Sequence, residues 1–135
     1  MDMLQAMNTG HDGSLATIHA NSARDALTRL ETMVSMAGLN LPDRAIRHQI
    51  ASAINVVIQL ARLSDGSRKM LNLFEIIGME GEMITMQEIF AFNLMGLTEE
   101  RQVKGRFIAT GIRPKFTRRL ESMGITLHAS LFQER

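Results

Sequence analysis

The hydrophobic period of this chain changes near residue 55, and that change limits the folds open to it more than any other feature. Upstream, Ile46, Ile50 and Ile54 recur every fourth residue, the spacing of a helix with one apolar stripe. Pro42 suits the first helical position, where a missing N–H costs nothing. Downstream, "NVVIQLARL" is β-branched and strand-like, and "SDGS" carries the Asp65-Gly66 pair of a tight hairpin. "KMLNLFEIIGM" reads as the return strand, and a turn at "EGE" leads into "MITMQEIFAF". Residues 55–92 are therefore expected to form a three-stranded antiparallel meander. Residues 93–105, polar and with two glycines, read as a loop. Pro114 then opens a last helix, with Phe116, Leu120 and Met123 on one stripe and Gly124 at its end.

The first third reads as helices around one short strand. "DMLQAMNTG" is expected to be helical, with Asp2 as cap and Met3, Leu4 and Met7 on one face. "SLATIHA", residues 14–20, is a candidate strand. Asn21 or Ser22 caps a helix over residues 23–37, whose stripe is Ala26, Leu27, Leu30, Met33, Val34 and Ala37, and Gly38 ends it. This order predicts a mixed α/β fold. The opening helix has no upstream strand to pack on, so the sequence reads as the C-terminal part of something larger.

Composition narrows the function classes. With 135 residues, 45% hydrophobic and 21% charged, the chain suits a single globular domain rather than a disordered one. A formal net charge of +1 argues for no partner by itself, and the absence of cysteine removes disulfide and thiolate chemistry. No apolar run approaches the ~20 residues of a membrane span; "INVVIQLARL" is broken by Asn55, Gln59 and Arg62. The N-terminus lacks the basic and apolar regions of a signal peptide, so the chain reads as cytoplasmic. Eleven methionines against six phenylalanines give adaptable packing, in a core or at a partner-binding surface.

The stretch with unusual chemistry is "NTGHDGSLATIHAN", where His11 and His19 stand among glycines and hydroxyl residues. Histidine switches charge near neutral pH, and beside a triphosphate it could donate to a phosphate oxygen or a positioned water. The plain alternative is that His11 caps a turn and His19 ends a strand, bonded to backbone. A metal site of His11, Asp12 and His19 is disfavoured. Structural zinc takes four close ligands, and His48 and His128 sit on unrelated elements.

"AMNTGHDGSLATIHANSARDALTRLETM" resembles the histidine-box region of the type II/type IV secretion ATPases, ring-forming motors that drive pilus assembly and protein or DNA export. "RAIRHQIASAINVVIQLARLSDGSRKMLNLFEIIGMEGEMITMQEIF" and "GRFIATGIRPKFTRRLESMGITL" are similar to the branch serving tight-adherence (Flp) pili. The resemblance covers nearly the whole chain. It implies that residues 1–135 are the C-terminal part of a RecA-like ATPase domain, with an antiparallel meander and flanking helices.

The family pattern maps onto Thr9, Gly10 and His11, then Thr17 and His19, then Ala20, Asn21 and Ser22. In the family this box lies beside the nucleotide phosphates. The resemblance therefore implies His11 and His19 as catalytic residues that sense the γ-phosphate. It implies Thr9, Gly10, Thr17 and Asn21, with Arg24 and Arg29, as residues facing ATP and its Mg²⁺. Arg24 and Arg29 lie about one and a half turns apart and do not share a face; either is a surface residue or reaches a nucleotide across a subunit boundary. The same resemblance implies a hexameric homo-oligomer, inner-membrane pilus or secretion platform proteins as partners, no nucleic acid, and a cytoplasmic location peripheral to the inner membrane. Ala23 stands where relatives often carry proline.

Other family parts are missing from this sequence. There is no G-x-x-x-x-G-K-[ST] phosphate loop, whose N–H groups cradle phosphates, and no acidic Walker B strand. In the family both lie upstream. The chain alone is expected not to hydrolyse ATP, to hold neither ATP nor Mg²⁺, and to self-associate. The alternative from another class is a non-catalytic interaction module working through Met-rich and basic surfaces. Residues 101–119 carry Arg101, Lys104, Arg106, Arg113, Lys115, Arg118 and Arg119 with no acid among them, a solvated face or a contact for an acidic neighbour. Glu75, Glu80, Glu82 and Glu88 are spread over strands and turns and form no acid/base pair.

Overall fold

A computed structural model describes residues 15–38 and 41–134. The expected opening helix, with Thr9, Gly10 and His11, lies outside the described residues. The chain divides into two compact units, Met1–Val57 with Ile76–Met86, and Ile58–Glu75 with Gln87–Arg135. The elements are those of the mixed α/β class: helices and one four-stranded antiparallel sheet in the order β1-β2-β3-β4.

In the first unit, α1 (Ala23–Met36) begins where Ser22, in an extended conformation, accepts the Asp25 N–H with its side chain. It ends at Ala37, and Gly38 follows at φ 80°, a left-handed position that glycine fills without a Cβ clash. Leu27 and Val34 are buried, whereas Met33 and Ala37 turn outward, so the stripe is narrower than the sequence spacing implies. α2 (Asp43–Ala53) starts one residue after Pro42, which is its N-cap rather than its first helical residue. Ile46 and Ile50 of α2 join Leu27, Val34, Ala53, Ile76 and Ile84 in one core cluster. Arg47 pairs with Glu31 of α1 and also donates to the main-chain oxygen of Glu82.

The sheet comprises β1 (Val56–Arg62), β2 (Arg68–Glu80), β3 (Met83–Leu97) and β4 (Val103–Ala109). Two sequence expectations are corrected here. Residues 15–20 form no strand and are largely exposed. An extended segment becomes a strand only when a neighbouring strand takes its N–H and C=O groups, and the sheet is built of β1 to β4 alone. Residues 93–105 are not a loop: β3 runs on to Leu97 and pairs antiparallel with β4 through Asn93↔Arg106 and Leu97↔Val103, with an irregularity between Leu94 and Gly96. Four strands therefore replace the expected three. The turn is confined to residues 98–102, where Arg101 adopts φ 61° and its N–H donates to the Thr98 oxygen.

In the second unit Ile89, Ala109, Pro114 and Phe132 are buried. Phe90 stacks on Phe107 with centroids 5.4 Å apart and lies 5.9 Å from Phe132 of a 3₁₀ turn, Ala129–Phe132. α3 (Phe116–Ser122) follows Pro114, and Gly124 stands beyond its end. Thr117 is its buried residue, while Met123 is exposed and outside any packed stripe.

Candidate functional site

The local chemistry of the box segment fixes the entry to α1 and leaves its polar side chains open. Ser22 Oγ accepts the N–H of Asp25 at 3.0 Å, and Asp25 Oδ2 accepts the N–H of Asn21 at 3.2 Å. Two donors at a helix start are thus satisfied reciprocally, a variant of the capping box displaced by one residue. Three residues ahead of that cap, His19 is exposed, as is Thr17, and neither has a protein partner among the described residues.

The two arginines behave differently. Arg24 Nη1 donates to the main-chain oxygen of Ile84 at 2.6 Å, fastening α1 to β3 within the first unit. Arg29 is exposed, without a hydrogen bond or ion pair among the described residues. Asn21 and Arg24 thus serve the start of α1, the one through its N–H and the other through its guanidinium, whereas His19 only precedes it in the chain and Arg29 stands further along the helix.

Thr17, His19 and Arg29 offer hydroxyl, imidazole and guanidinium donors to an anion. Two depressions lie elsewhere on the surface, one lined by Pro42, His48 and Met79 in the first unit and one by Leu60, Arg62 and Met70 in the second. Among the described residues no group of three His, Asp or Glu side chains could hold a metal, and no helix is long and apolar enough to cross a membrane.

Two carboxylates matter in ways the sequence reading did not assign. Glu75 is buried, and its oxygens accept the N–H groups of Lys115 at 2.8 Å and Phe116 at 2.7 Å, and Nε2 of Gln87 at 2.7 Å. A single acid inside "LNLFEIIGM", on the same alternating positions as Leu71 and Leu73, was the available signal for a buried anchor. Asp65 accepts from the hydroxyl and N–H of Ser67 and from the N–H of Val103. The Ser67 hydroxyl and then the Val103 and Ser67 N–H groups hold its carboxyl down at about 2.

Residues 1–122 match the family described as type II/IV secretion system protein. A Mycobacterium tuberculosis protein named for conjugal transfer is 37% identical over 82 residues, which cover 60% of this chain and 22% of that one. The conjugal transfer protein TrbB of Rhizobium radiobacter is 35% identical over 81 residues, 60% of this chain and 23% of its own. A Sinorhizobium fredii protein carrying the same name is 32% identical over 103 residues, 76% of this chain and 29% of its own. The chain thus spans less than a third of the length of the curated relatives it matches. With the family match extending from the histidine segment through α3, the chain belongs to the type II/IV secretion system protein family.

Proposed function

We propose that this chain is the C-terminal portion of a RecA-like motor domain in a ring-forming ATPase that powers tight-adherence (Flp) pilus assembly or protein secretion. In this reading the phosphate loop and Walker B strand stand upstream, and Thr9 to Ser22 is the nucleotide-sensing box. The family match over residues 1–122, which starts ahead of the histidine segment, is the observation that carries the reading. Hydrolysis belongs to the upstream parts, which supply the phosphate cradle these residues lack.

The residues of this chain hold and relay. In this reading His11 and His19 are the residues that sense the γ-phosphate, and Thr9, Gly10, Thr17 and Asn21 are the residues that bind the nucleotide. The Ser22–Asp25 cap and the Arg24–Ile84 bond carry any displacement of the box into α1 and β3. ATP with Mg²⁺ is the cofactor of the complete protein. A homohexamer on an inner-membrane platform is the assembly, with the motor on the cytoplasmic side.

The test is His19→Ala and His19→Gln in the complete protein, read by ATP turnover and pilus output. A loss of about 100-fold in turnover is expected, the scale of a positioned proton donor. Unchanged turnover and pili would overturn the sensing role. An upstream reading frame without a G-x-x-x-x-G-K-[ST] loop would overturn the placement.

A second reading is favoured by the names of the three relatives, all conjugal transfer proteins. Here the same motor drives transfer between cells. A strain lacking the gene separates the two: lost conjugation with intact pili selects this reading, and lost pili with intact conjugation selects the first.

A further inference from the structure

One face of the sheet in the second unit is covered at one end and bare at the other. Phe90 packs on Phe107 and Phe132, so the 3₁₀ turn covers Phe90 at the β3–β4 end while Phe107 stays 44% exposed. Glu88, two residues before Phe90 and so on the same face, accepts from Asn72 Nδ2 at 3.0 Å. By the same alternation, Asn72 shares its face with Met70 and Arg68 on β2. Arg68, Lys69 and Met70 line an open depression of about 430 Å³ together with Leu60, Ala61 and Arg62 of β1. Ile58 alternates with Leu60. Nothing in the described chain covers this end: Leu60 is 65% exposed, Ile58 46% and Met70 37%.

The charge around this bare strip is one-sided. Arg62 and Arg68 are exposed and have no hydrogen bond or ion pair among the described residues. Like charges side by side on neighbouring strands repel, so the pair gives nothing to the isolated fold. The acid on the same face, Glu88, is already engaged by Asn72. Aliphatic groups bordered by two free guanidiniums complement a ligand that is itself apolar and anionic. Guanidinium forks bind carboxylates in bidentate fashion.

We propose that the Ile58–Leu60–Met70 strip, with Arg62 and Arg68, docks an acidic amphipathic segment of another protein. Its apolar side chains cover the strip and its carboxylates meet the guanidiniums. The bare strip is aliphatic, without the stacking rings that single-stranded nucleic acid uses. The strip is small, so the contact is a transient one, with an affinity on the order of 10 micromolar. This inference stands on the second unit alone and does not depend on the nucleotide reading.

The experiment titrates the full chain with a helical peptide carrying leucine on one face and glutamate on the other, followed by amide and methyl chemical shifts. Parallel titrations use the same peptide with lysine for glutamate, vesicles of phosphatidylcholine and phosphatidylglycerol, and oligodeoxythymidine. The expected result is saturable shifts centred on Ile58, Leu60, Met70, Arg62 and Arg68 with the acidic peptide. Arg62→Glu with Arg68→Glu weakens it about tenfold or more, and Arg62→Lys with Arg68→Lys, which keeps the charge but loses the fork, weakens it by less than the charge reversal does. Leu60→Ser weakens binding while leaving the circular dichroism melt intact. Equal binding of the lysine peptide, or undiminished binding by the charge-reversed variant, overturns the proposal. So does tighter binding of the vesicles or the oligonucleotide than of the acidic peptide.

Discussion

Arg24, in the first turn of α1, donates from Nη1 to the main-chain oxygen of Ile84 at 2.6 Å, linking positions sixty residues apart. The guanidinium donates to a strand carbonyl that has lone pairs to spare, and it fixes the start of the helix that follows the histidine segment. Arg24→Ala is expected to lower the unfolding free energy by about 1–3 kcal/mol, the cost of stranding a polar partner. Arg24→Lys should recover only part of it, because an ammonium lacks the planar fork. Urea denaturation measures both. An unchanged midpoint for Arg24→Ala would show that the bond does not hold α1.

Glu75 anchors α3 by taking the first N–H groups of that helix on its two oxygens. Glu75→Ala leaves those donors and Gln87 Nε2 without acceptors, so a loss on the order of 3 kcal/mol is expected. Glu75→Gln keeps the shape but turns an NH₂ toward an N–H donor, and should cost more than half as much. Thermal melts compare the two. A neutral Glu75→Gln would mean that shape rather than accepting capacity sets the anchor.

Asp65 makes stability depend on acid. Its carboxyl titrates at about 2 in the fold against an ordinary 3.8, so the folded state favours the ionised form. The stabilisation is fully present above about pH 4 and is lost as the pH falls toward 2. Asp65→Asn should therefore be less stable than the parent at pH 7, with the gap closing across that window. Denaturation midpoints of the two proteins at neutral pH and near pH 2.5 decide it; a gap independent of pH removes the role of the charge.

Gly105 lies beneath the ring of Phe92, and a Cβ there would also stand 2.7 Å from the main-chain oxygen of Asn93. A ring can rotate away, but a ladder carbonyl cannot without losing its bond. Gly105→Ala is expected to destabilise by about 1–3 kcal/mol, the scale of overpacking. Gly105→Ala with Phe92→Leu should recover only the ring's share. Full recovery would show that the carbonyl yields.

Local chemistry was legible in the sequence; long-range chemistry was not. Ser22, the Leu27 and Val34 positions and Gly38 are enough to read α1 to within a residue of its end, because a cap, a stripe and a left-handed glycine are all local. Asp65-Gly66 located the first hairpin for the same reason. The strand β4 was hidden because "VKGRFIA" places lysine, glycine and arginine together. Its glycine reads as a loop residue until Phe92 is seen above it.

Residues 15–20 erred the other way, since their propensity is extended but no ladder takes them up. The candidate site divides along the same line. The cap at Ser22 and Asp25 follows from spacing, whereas the partners of Arg24 and Glu75 lie sixty and forty positions away and are set by the sheet.

The bond from Val103 N–H to Asp65 Oδ2 spans 38 positions and joins the tips of two hairpins. Each hairpin closes over only a few residues, so both can zip before the tips meet, and the long closure then comes at little further entropic cost. The tip-to-tip bond therefore belongs to the last part of the folding reaction. Removing it should leave the refolding rate nearly unchanged and speed unfolding, the signature of a contact absent from the transition state. The acid at residue 65 thus governs how long the folded unit lasts rather than how fast it forms.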